Sequence, residues 1–308
     1  MTTAWDVIGA PSSAGAHTPG VEQAPAALRE AGLVRLLRRT CEVDDLGDVP
    51  SSRWRPDPAR RTGQNAAEVA RVATGVAQQV EAAVRRSRLP LVLGGDCTVS
   101  LGLVAGHVRA GAPAALVYVD GGPDLYTPLT RANGNMDAMG LAHMLGLPGT
   151  RPEVAAVGGA VPLLTPDRVV VYGDSLPPGD HEYDLVAELG ITYVPADEVH
   201  ADPLAAGRRA CAAAEAAAES FVVHFDVDVL DFVETPLADV PEPTGLTLAE
   251  ASTTLATLVR SPRFAGLAVT EINPDHLPDG AVLTRFVEVL ADALGTGRVG
   301  SGQAAGEN

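Results

Sequence analysis

Pairs of aspartates follow two short apolar runs of the sequence. Asp120 and Asp124 come directly after the run Ala115–Val119, and Asp226 and Asp228 come at the end of another such run. Residues two apart on an extended chain point to the same face, so Asp226 and Asp228 are expected to lie side by side. Carboxylates this close repel one another unless a cation or protons lie between them. The pattern therefore favours a hard divalent cation with oxygen ligands over aspartates that only cap turns.

A third apolar run is followed by a carboxylate and a thiol. Asp96 and Cys97 come after Pro90–Gly94, and the ligands of an open parallel sheet bind beyond the carboxyl ends of its strands. Negative neighbours raise the pKa of a thiol, so Cys97 is expected to pack or to bind a metal rather than to act as a nucleophile. His224 lies two residues before Asp226, on the same face and about 6.6 Å deeper in the sheet. It is either a surrogate metal ligand or a core histidine that is hydrogen-bonded to an aspartate.

The elements that must position these side chains alternate regularly along the chain. Short runs with apolar residues on both faces, as in parallel strands covered by helices, alternate with longer helical patterns. The predicted strands are Val7–Ala10, Pro90–Gly94, Ala115–Val119, Arg168–Tyr172, Ile191–Val194, Phe221–Phe225 and Leu267–Glu271. The predicted helices are Pro25–Arg38, Ala66–Arg86, Pro203–Ser220, Thr247–Val259 and Gly280–Leu294. Repeated strand–helix–strand units predict a three-layer α/β/α fold around one mostly parallel sheet.

The whole chain, residues 1–308, is predicted to form a single domain. Ser51–Gly63 and Arg151–Thr165 have loop-like compositions, but neither is typical of an interdomain linker. Residues 295–308 are rich in glycine and polar residues and are expected to form a frayed tail. Thr247, with Glu250 three residues later, has the spacing of a capping box at the start of a helix.

The composition argues against several classes of partner. The net charge of the 308-residue chain is −17, and every basic side chain except histidine is an arginine. An acidic surface repels phosphate groups, so neither nucleic acid nor an anionic membrane is an expected partner. Three cysteines far apart suggest no disulfide framework, and no apolar run approaches the roughly 18 residues that cross a bilayer. The N-terminus also lacks the features of a signal peptide, so the expected location is the cytoplasm.

Several ordered blocks resemble the signature blocks of the arginase–agmatinase (ureohydrolase) family, and of arginases most closely. The matching segments are Ile8-Gly9-Ala10-Pro11, Gly94-Gly95-Asp96-Cys97-Thr98, Asp120-Gly121-Gly122-Pro123-Asp124, Asn133-Gly134-Asn135-Met136-Asp137, His224-Phe225-Asp226-Val227-Asp228 and Glu271-Ile272-Asn273-Pro274. The resemblance implies an arginase-like, eight-stranded sheet and a homo-oligomer, a trimer or a hexamer. It also implies two manganese ions that activate a water for attack on a guanidinium carbon, with release of urea.

The resemblance carries the ligands of the first metal over to four residues of this chain. These are Cys97, Asp120, Asp124 and Asp226. The second metal would share Asp120 and Asp226 and add Asp228. Glu271 stands where the family pairs with the substrate guanidinium, and Asp137 stands where the family has its proton-shuttling histidine.

Four positions depart from the family's pattern. Cys97 and Gly122 replace metal-binding histidines, and a thiolate suits manganese poorly while a glycine offers no ligand at all. Asp137 replaces the catalytic histidine, and the ordinary pKa of a carboxyl, about 3.9, is low for a proton shuttle unless burial raises it. Tyr126 replaces a polar residue that helps to hold the amino-acid end of the substrate. Normal hydrolysis of arginine is therefore predicted to be absent.

Two functions stay open on this reasoning. The first is a repurposed hydrolase that acts on a C–N bond of a modified guanidine or amidine, with one weakly bound manganese or other divalent cation, or with none. The second is a catalytically inactive arginase-like protein that binds a ligand or pairs with another subunit. The retained aspartates favour the first, and the simultaneous loss of three histidines favours the second.

Overall fold

One sheet of eight strands forms the centre of the protein in a computed structural model, which describes residues 3–277 and 280–295. The strands are β1 (Ala4–Gly9), β2 (Glu42–Asp48), β3 (Leu89–Leu93), β4 (Ala115–Val119), β5 (Val169–Tyr172), β6 (Thr192–Val194), β7 (Phe221–Asp226) and β8 (Phe264–Thr270). Their order across the sheet is β2-β1-β3-β8-β7-β4-β5-β6, and every neighbouring pair is parallel. The predicted α/β/α fold is confirmed, with a sheet that is parallel throughout its described strands.

Helices cover both faces of the sheet. They are α1 (Ala24–Glu30), α2 (Leu33–Leu37), α3 (Ala66–Arg85), α4 (Ser100–Arg109), α5 (Gly140–Met144), α6 (Pro152–Ala155), α7 (His181–Leu189), α8 (Ala196–Ala201), α9 (Pro203–Ala217), α10 (Leu248–Val259) and α11 (Ala281–Gly295). Alternate residues of each strand feed two separate apolar cores. Val7 packs with α1, α2 and α8–α11, whereas Ile8, the next residue, packs with α3–α7. This alternation is the period of two that a sheet buried on both faces requires.

Several elements differ from the sequence-based expectation: α6, α7 and α8 were not predicted, and two further differences have a clear physical reason. The single helix predicted over Pro25–Arg38 is wrong in its continuity, because Gly32 adopts a left-handed φ of 97° and separates α1 from α2. Strand β2 was not predicted, since it is an edge strand with only Val43 buried and carries no apolar run. The capping box of α10 is confirmed: the Thr247 hydroxyl accepts from the Glu250 backbone N–H at 3.2 Å, and the Glu250 carboxylate accepts from the Thr247 N–H at 2.8 Å.

The two loop-like stretches contain only short regular elements. Ser51–Gly63 includes one 3₁₀ turn, Pro58–Arg60, and Arg151–Thr165 includes the four residues of α6. Gly295, the first residue of the predicted tail, ends α11, and the rest of that tail lies outside the described residues. Within the described part of the chain, no helix is long and apolar enough to cross a membrane.

Candidate active site

A cavity of 170 Å³ lies beyond the carboxyl ends of β3, β4, β7 and β8. Its lining includes seven of the residues singled out from the sequence: Cys97, Asp120, Asp124, Asp137, Asp226, Asp228 and Glu271. Two further acids, Glu182 and Glu242, and one basic residue, Arg131, also line it. The parallel sheet therefore brings the predicted side chains together in one acidic crevice. This crevice lies outside the carboxyl ends of the strands, where open α/β sheets bind their ligands.

Hydrogen bonds between the loops hold the aspartates in place. Asp226 ends β7, and its Oδ1 accepts from the Asp228 N–H at 2.7 Å, which caps the 3₁₀ turn Val227–Val229. Asp228 therefore lies in a turn, and the expectation of one extended strand through both aspartates is wrong. Asp228 Oδ1 in turn accepts from the Gly121 N–H at 2.9 Å, which ties the β7 turn to the loop after β4.

A thiol, an imidazole and two carboxylates meet at the inner end of the cavity. The Cys97 thiol donates to Asp226 Oδ2 and lies 3.9 Å from Asp120 Oδ2. His224 Nε2 lies 2.9 Å from the same Asp120 oxygen. One ligand atom from each of these four residues lies within 4.8 Å of the other three, and all four residues are buried. The structure thus brings His224 to the cluster, through the hydrogen bond to an aspartate that its strand position suggested.

The His224 ring is held on three sides. Its Nδ1 lies 2.6 Å from the Ser100 hydroxyl at the start of α4, and its face stacks on the Tyr118 ring with centroids 4.0 Å apart. Burial lowers the pKa of His224 to about 3, so the imidazole is neutral at neutral pH. A neutral imidazole offers one nitrogen lone pair, and a proton on Nδ1 directed at Ser100 would leave that pair on Nε2.

Asp137 and Glu271 both line the cavity, close to the Cys97 sulfur. Asp137 Oδ1 accepts from the Cys97 N–H at 2.7 Å, and burial raises the pKa of Asp137 to about 8. Glu271 follows β8 with a left-handed φ of 65°, and its N–H donates to the Gly95 carbonyl at 2.9 Å. Glu271 is 5% exposed, and its Oε1 has no hydrogen-bond partner among the described residues. An unpaired buried acceptor costs about 1–3 kcal/mol, so this atom marks a place for a donor.

Burial and mutual repulsion keep protons on the central carboxyl groups. Burial first, and then the charge of Asp228, raise the pKa of Asp120 and of Asp226 well above the ordinary range. Burial and the charge of Asp137 do the same for Asp124, whose Oδ2 accepts from the Tyr118 hydroxyl at 2.5 Å. Either protons or a cation must therefore balance the negative charge of these carboxyl groups, as predicted from the sequence.

Gly122, predicted from the resemblance to stand in place of a metal-binding histidine, borders open space. A Cβ built on Gly122 would have one heavy atom at 4.0 Å, Glu182 Oε2, and none nearer. Glu182 lies in the first turn of α7, accepts from the Leu125 N–H at 2.6 Å, and has a pKa that burial raises to about 7. Glu182 was not predicted from the sequence; it directly follows the segment Pro178-Gly179-Asp180-His181, in which Asp180 caps α7.

Among the described residues that line the cavity, Arg131 is the one basic residue. Its guanidinium carbon lies 4.7 Å from the centre of the ring of Tyr126, the residue predicted from the resemblance to stand in place of a substrate-holding polar group. Within the described part of the chain, Arg131 forms no ion pair. A stacked and unpaired guanidinium is preorganised to bind a carboxylate or another anion.

The fold and the strand-end carboxylates together define a protein of the ureohydrolase class. The chain belongs to the arginase family, whose model matches residues 4–294. It is 31% identical to arginase-1 of Homo sapiens over 288 residues, which cover 91% of this chain and 88% of that protein. The arginase structure from Bacillus caldovelox superposes with a TM-score of 0.84 at 26% identity and covers 97% of this chain and 100% of its own. The formimidoylglutamase from Bacillus subtilis shares the fold, with a TM-score of 0.72, 17% identity, and coverage of 96% and 87%.

Proposed function

We propose that this protein binds a small guanidine- or amidine-type cation in the acidic cavity and hydrolyses one of its C–N bonds. The observation that carries this proposal is Glu271 Oε1, a buried acceptor without a partner in a cavity lined by carboxyl groups. A guanidinium or amidinium group presents two parallel N–H donors and one positive charge. Such a group would satisfy the orphaned oxygen and offset the charge that otherwise forces protons onto the neighbouring acids.

The residues at the inner end of the cavity suit the proton movements of such a reaction. In hydrolysis, the oxygen of a water adds to the central carbon of the cation, the C–N bond breaks, and the departing nitrogen takes up a proton. Asp137 lines the cavity beside Cys97, at the position where it could deliver that proton. We propose Asp137 as the proton carrier and Glu271 as the residue that orients the cation.

The chain's own donors fit one divalent cation better than the two of the family. Cys97, Asp120 and Asp226 converge on one point, and His224 joins them. At the second position, Gly122 supplies no donor, and Asp124 and Asp228 remain as cavity-lining acids outside the converged group. When bound, a cation there would supply Lewis-acid polarisation of the attacking water. We propose one such ion, manganese or another divalent cation, bound more weakly than in an arginase.

The same differences argue against L-arginine as the substrate. The second metal position lacks its imidazole, and the residue that faces the amino-acid end is Tyr126, stacked under Arg131. We propose a modified guanidine or amidine as the small-molecule partner, in a single cytoplasmic domain that assembles into a homo-oligomer, as a trimer or hexamer. Nucleic acid and membranes are not part of this proposal, because the net charge is −17.

A binding protein without turnover is the second candidate. The observation that favours it is that protein groups already occupy the ligand atoms: the Cys97 thiol donates to Asp226, and His224 pairs with Asp120. A cavity that is satisfied in this way can hold an organic cation, or stabilise a subunit that pairs with another chain, without performing chemistry.

Titration of butylguanidine into the full-length protein tests the proposal. Calorimetry is expected to show one site per chain, and Glu271→Gln is expected to weaken it about 10- to 100-fold, because a charge-assisted hydrogen bond is lost. Glu188→Gln, on the exposed side of α7, is the matched control and should bind like the wild type. Ammonia or amine release from the bound compound supports the hydrolase, and binding without release supports the second candidate. Wild-type protein that binds no alkylguanidine or amidine would contradict the hydrolase and the ligand-binding form of the second candidate, and would leave subunit pairing as the alternative.

A further inference from the structure

We infer that the cavity is built for a zinc-type ion held by Cys97, Asp120, His224 and Asp226, rather than for manganese. The inference rests on the proposed function only for the presence of one cation, and it concerns which ion that is. Nothing in it depends on substrate or turnover.

The four ligand atoms lie near the separations of a four-ligand site, although the Cys97–Asp226 and His224–Asp120 contacts are shorter and would have to lengthen around an ion. In a tetrahedral zinc site with bonds of about 2.0–2.3 Å, neighbouring ligand atoms lie about 3.3–3.8 Å apart. Here the Cys97 sulfur and the His224 nitrogen lie 3.9 Å and 2.9 Å from the same Asp120 oxygen. All four ligand atoms fall within 4.8 Å of one another, so movements of about an ångström would make them tetrahedral.

The chemistry of the donors separates this site from a manganese site. Manganese prefers carboxylate, carbonyl and water oxygens, whereas thiolate and imidazole together are typical of zinc and of cobalt as its substitute. The site offers one sulfur, one nitrogen and two oxygens. The nitrogen comes from His224 in β7, which approaches from inside the sheet, and not from the loop after β4, where Gly122 has no side chain.

The surroundings of His224 fit a metal-binding imidazole. A ligating histidine commonly donates its second ring N–H to a fixed acceptor, which selects the tautomer and the ring orientation. The Ser100 hydroxyl lies 2.6 Å from Nδ1 and can accept a hydrogen bond from Nδ1–H; in that tautomer the Nε2 lone pair faces Asp120. The Tyr118 ring, stacked at 4.0 Å with an angle of 16° between planes, fixes the orientation further. Ser100 is thus a positioning residue for the proposed ligand.

The absorption spectrum of bound Co²⁺ shows directly whether a thiolate is among its ligands. We expect the full-length protein, freed of metal with a chelator, to take up one Co²⁺ per chain and to develop a near-ultraviolet sulfur-to-cobalt charge-transfer band. Cys97→Ser should abolish the band. Cys41→Ser is the matched control, because Cys41 is a buried free cysteine that packs near α11 and does not line the cavity; it should leave the band unchanged.

The affinities for Zn²⁺ and Mn²⁺ give a second test. It uses variants of both Cys97 and Ser100, so it can still be made if one of the two variants is unstable. Most sites bind Zn²⁺ more tightly than Mn²⁺, so a higher affinity for Zn²⁺ is not informative by itself. The test is how much each substitution lowers the Zn²⁺ affinity relative to the Mn²⁺ affinity. Cys97→Ser should lower the Zn²⁺ affinity at least tenfold more than the Mn²⁺ affinity. Ser100→Ala should weaken Zn²⁺ about 10- to 100-fold through the imidazole, while His107→Gln, a buried histidine of α4 outside the cavity, should not.

Three results would overturn the inference. They are Co²⁺ bound without a charge-transfer band, a band that persists in Cys97→Ser, and Zn²⁺ and Mn²⁺ affinities that fall equally in that variant. Failure of the proposed function is a different result, since it appears as absent butylguanidine binding whatever the metal.

Discussion

Placing a histidine at position 122 is expected to create the second cation position that we propose is missing from this chain. In Gly122→His, the new Cβ would have Glu182 Oε2 at 4.0 Å as its nearest heavy atom, which is ordinary contact. Overpacked core substitutions cost about 1–3 kcal/mol, and none of that cost is expected here because the position is open. The Glu182 carboxyl group lies where it can accept from the second imidazole nitrogen, the arrangement that orients metal-binding histidines.

The size of the effect follows from linkage. A second Mn²⁺ that binds only the folded chain, at a concentration 100 times its dissociation constant, adds about 2.7 kcal/mol to the free energy of unfolding. For a chain of about 300 residues, whose entropy of unfolding is roughly 0.6 kcal/mol/K, that is a rise in Tm of roughly 4 °C. Differential scanning fluorimetry over a range of Mn²⁺ concentrations measures this rise, and equilibrium dialysis with elemental analysis counts the bound ions.

Gly280→His is the matched control for this experiment. Among the described residues, no heavy atom lies within 4 Å of a Cβ built on Gly280, and Gly280 does not line the cavity, so the change adds a histidine without adding a ligand to the site. The reasoning predicts one additional ion for Gly122→His and none for Gly280→His. Equal Mn²⁺ uptake and equal Tm shifts in the wild type and both variants would refute it.

Three further predictions test other parts of the structure. Burial raises the pKa of Asp174 to about 6, so the folded chain keeps a proton there that the unfolded chain releases near 3.8; the contribution of Asp174 to stability therefore falls as pH rises from about 4 to 6. Asp174→Asn should escape this loss and be about 1–3 kcal/mol more stable relative to the wild type above pH 6 than at pH 3.5, by urea unfolding. Arg131→Gln should weaken 4-guanidinobutyrate about tenfold in calorimetry but leave butylguanidine unchanged, with Arg168→Gln, remote from the cavity, as control. Thr247→Ala, which removes the N-cap of α10, should cost about 1 kcal/mol in the same unfolding assay.

The strand-end aspartates could be predicted because their positions depend on local signals and one general rule. Short buried strands in α/β units run parallel, so Asp120 and Asp226 had to reach the same edge of the sheet. The strand period of two also placed His224 on the face of Asp226. The prediction that Asp228 continues the extended strand was wrong. Asp226 caps a 3₁₀ turn through its own carboxylate, so the strand ends before Asp228.

Other features depend on contacts between distant parts of the chain and carry little local signal. Glu182 reaches the cavity by accepting from the Leu125 N–H, 57 residues away in sequence. Strand β2 is held by pairing with β1 while most of its side chains are exposed, so its sequence shows neither alternation nor an apolar run. The proton affinity of Asp137 is likewise a property of its burial, because the ordinary pKa of a carboxyl group made it a poor proton carrier on sequence grounds.

We propose that this chain keeps the acidic cavity of the arginase family but does not hydrolyse L-arginine. The most direct test is an assay of urea release from L-arginine under saturating Mn²⁺. Full-length protein, assayed beside the same protein inactivated by heat, is predicted to release no urea above that background. The reason lies in two positions: Gly122 provides no ligand for a second ion, and Cys97 places a thiol among the ligands of the first. Urea release at the rate of an ordinary arginase would contradict the account.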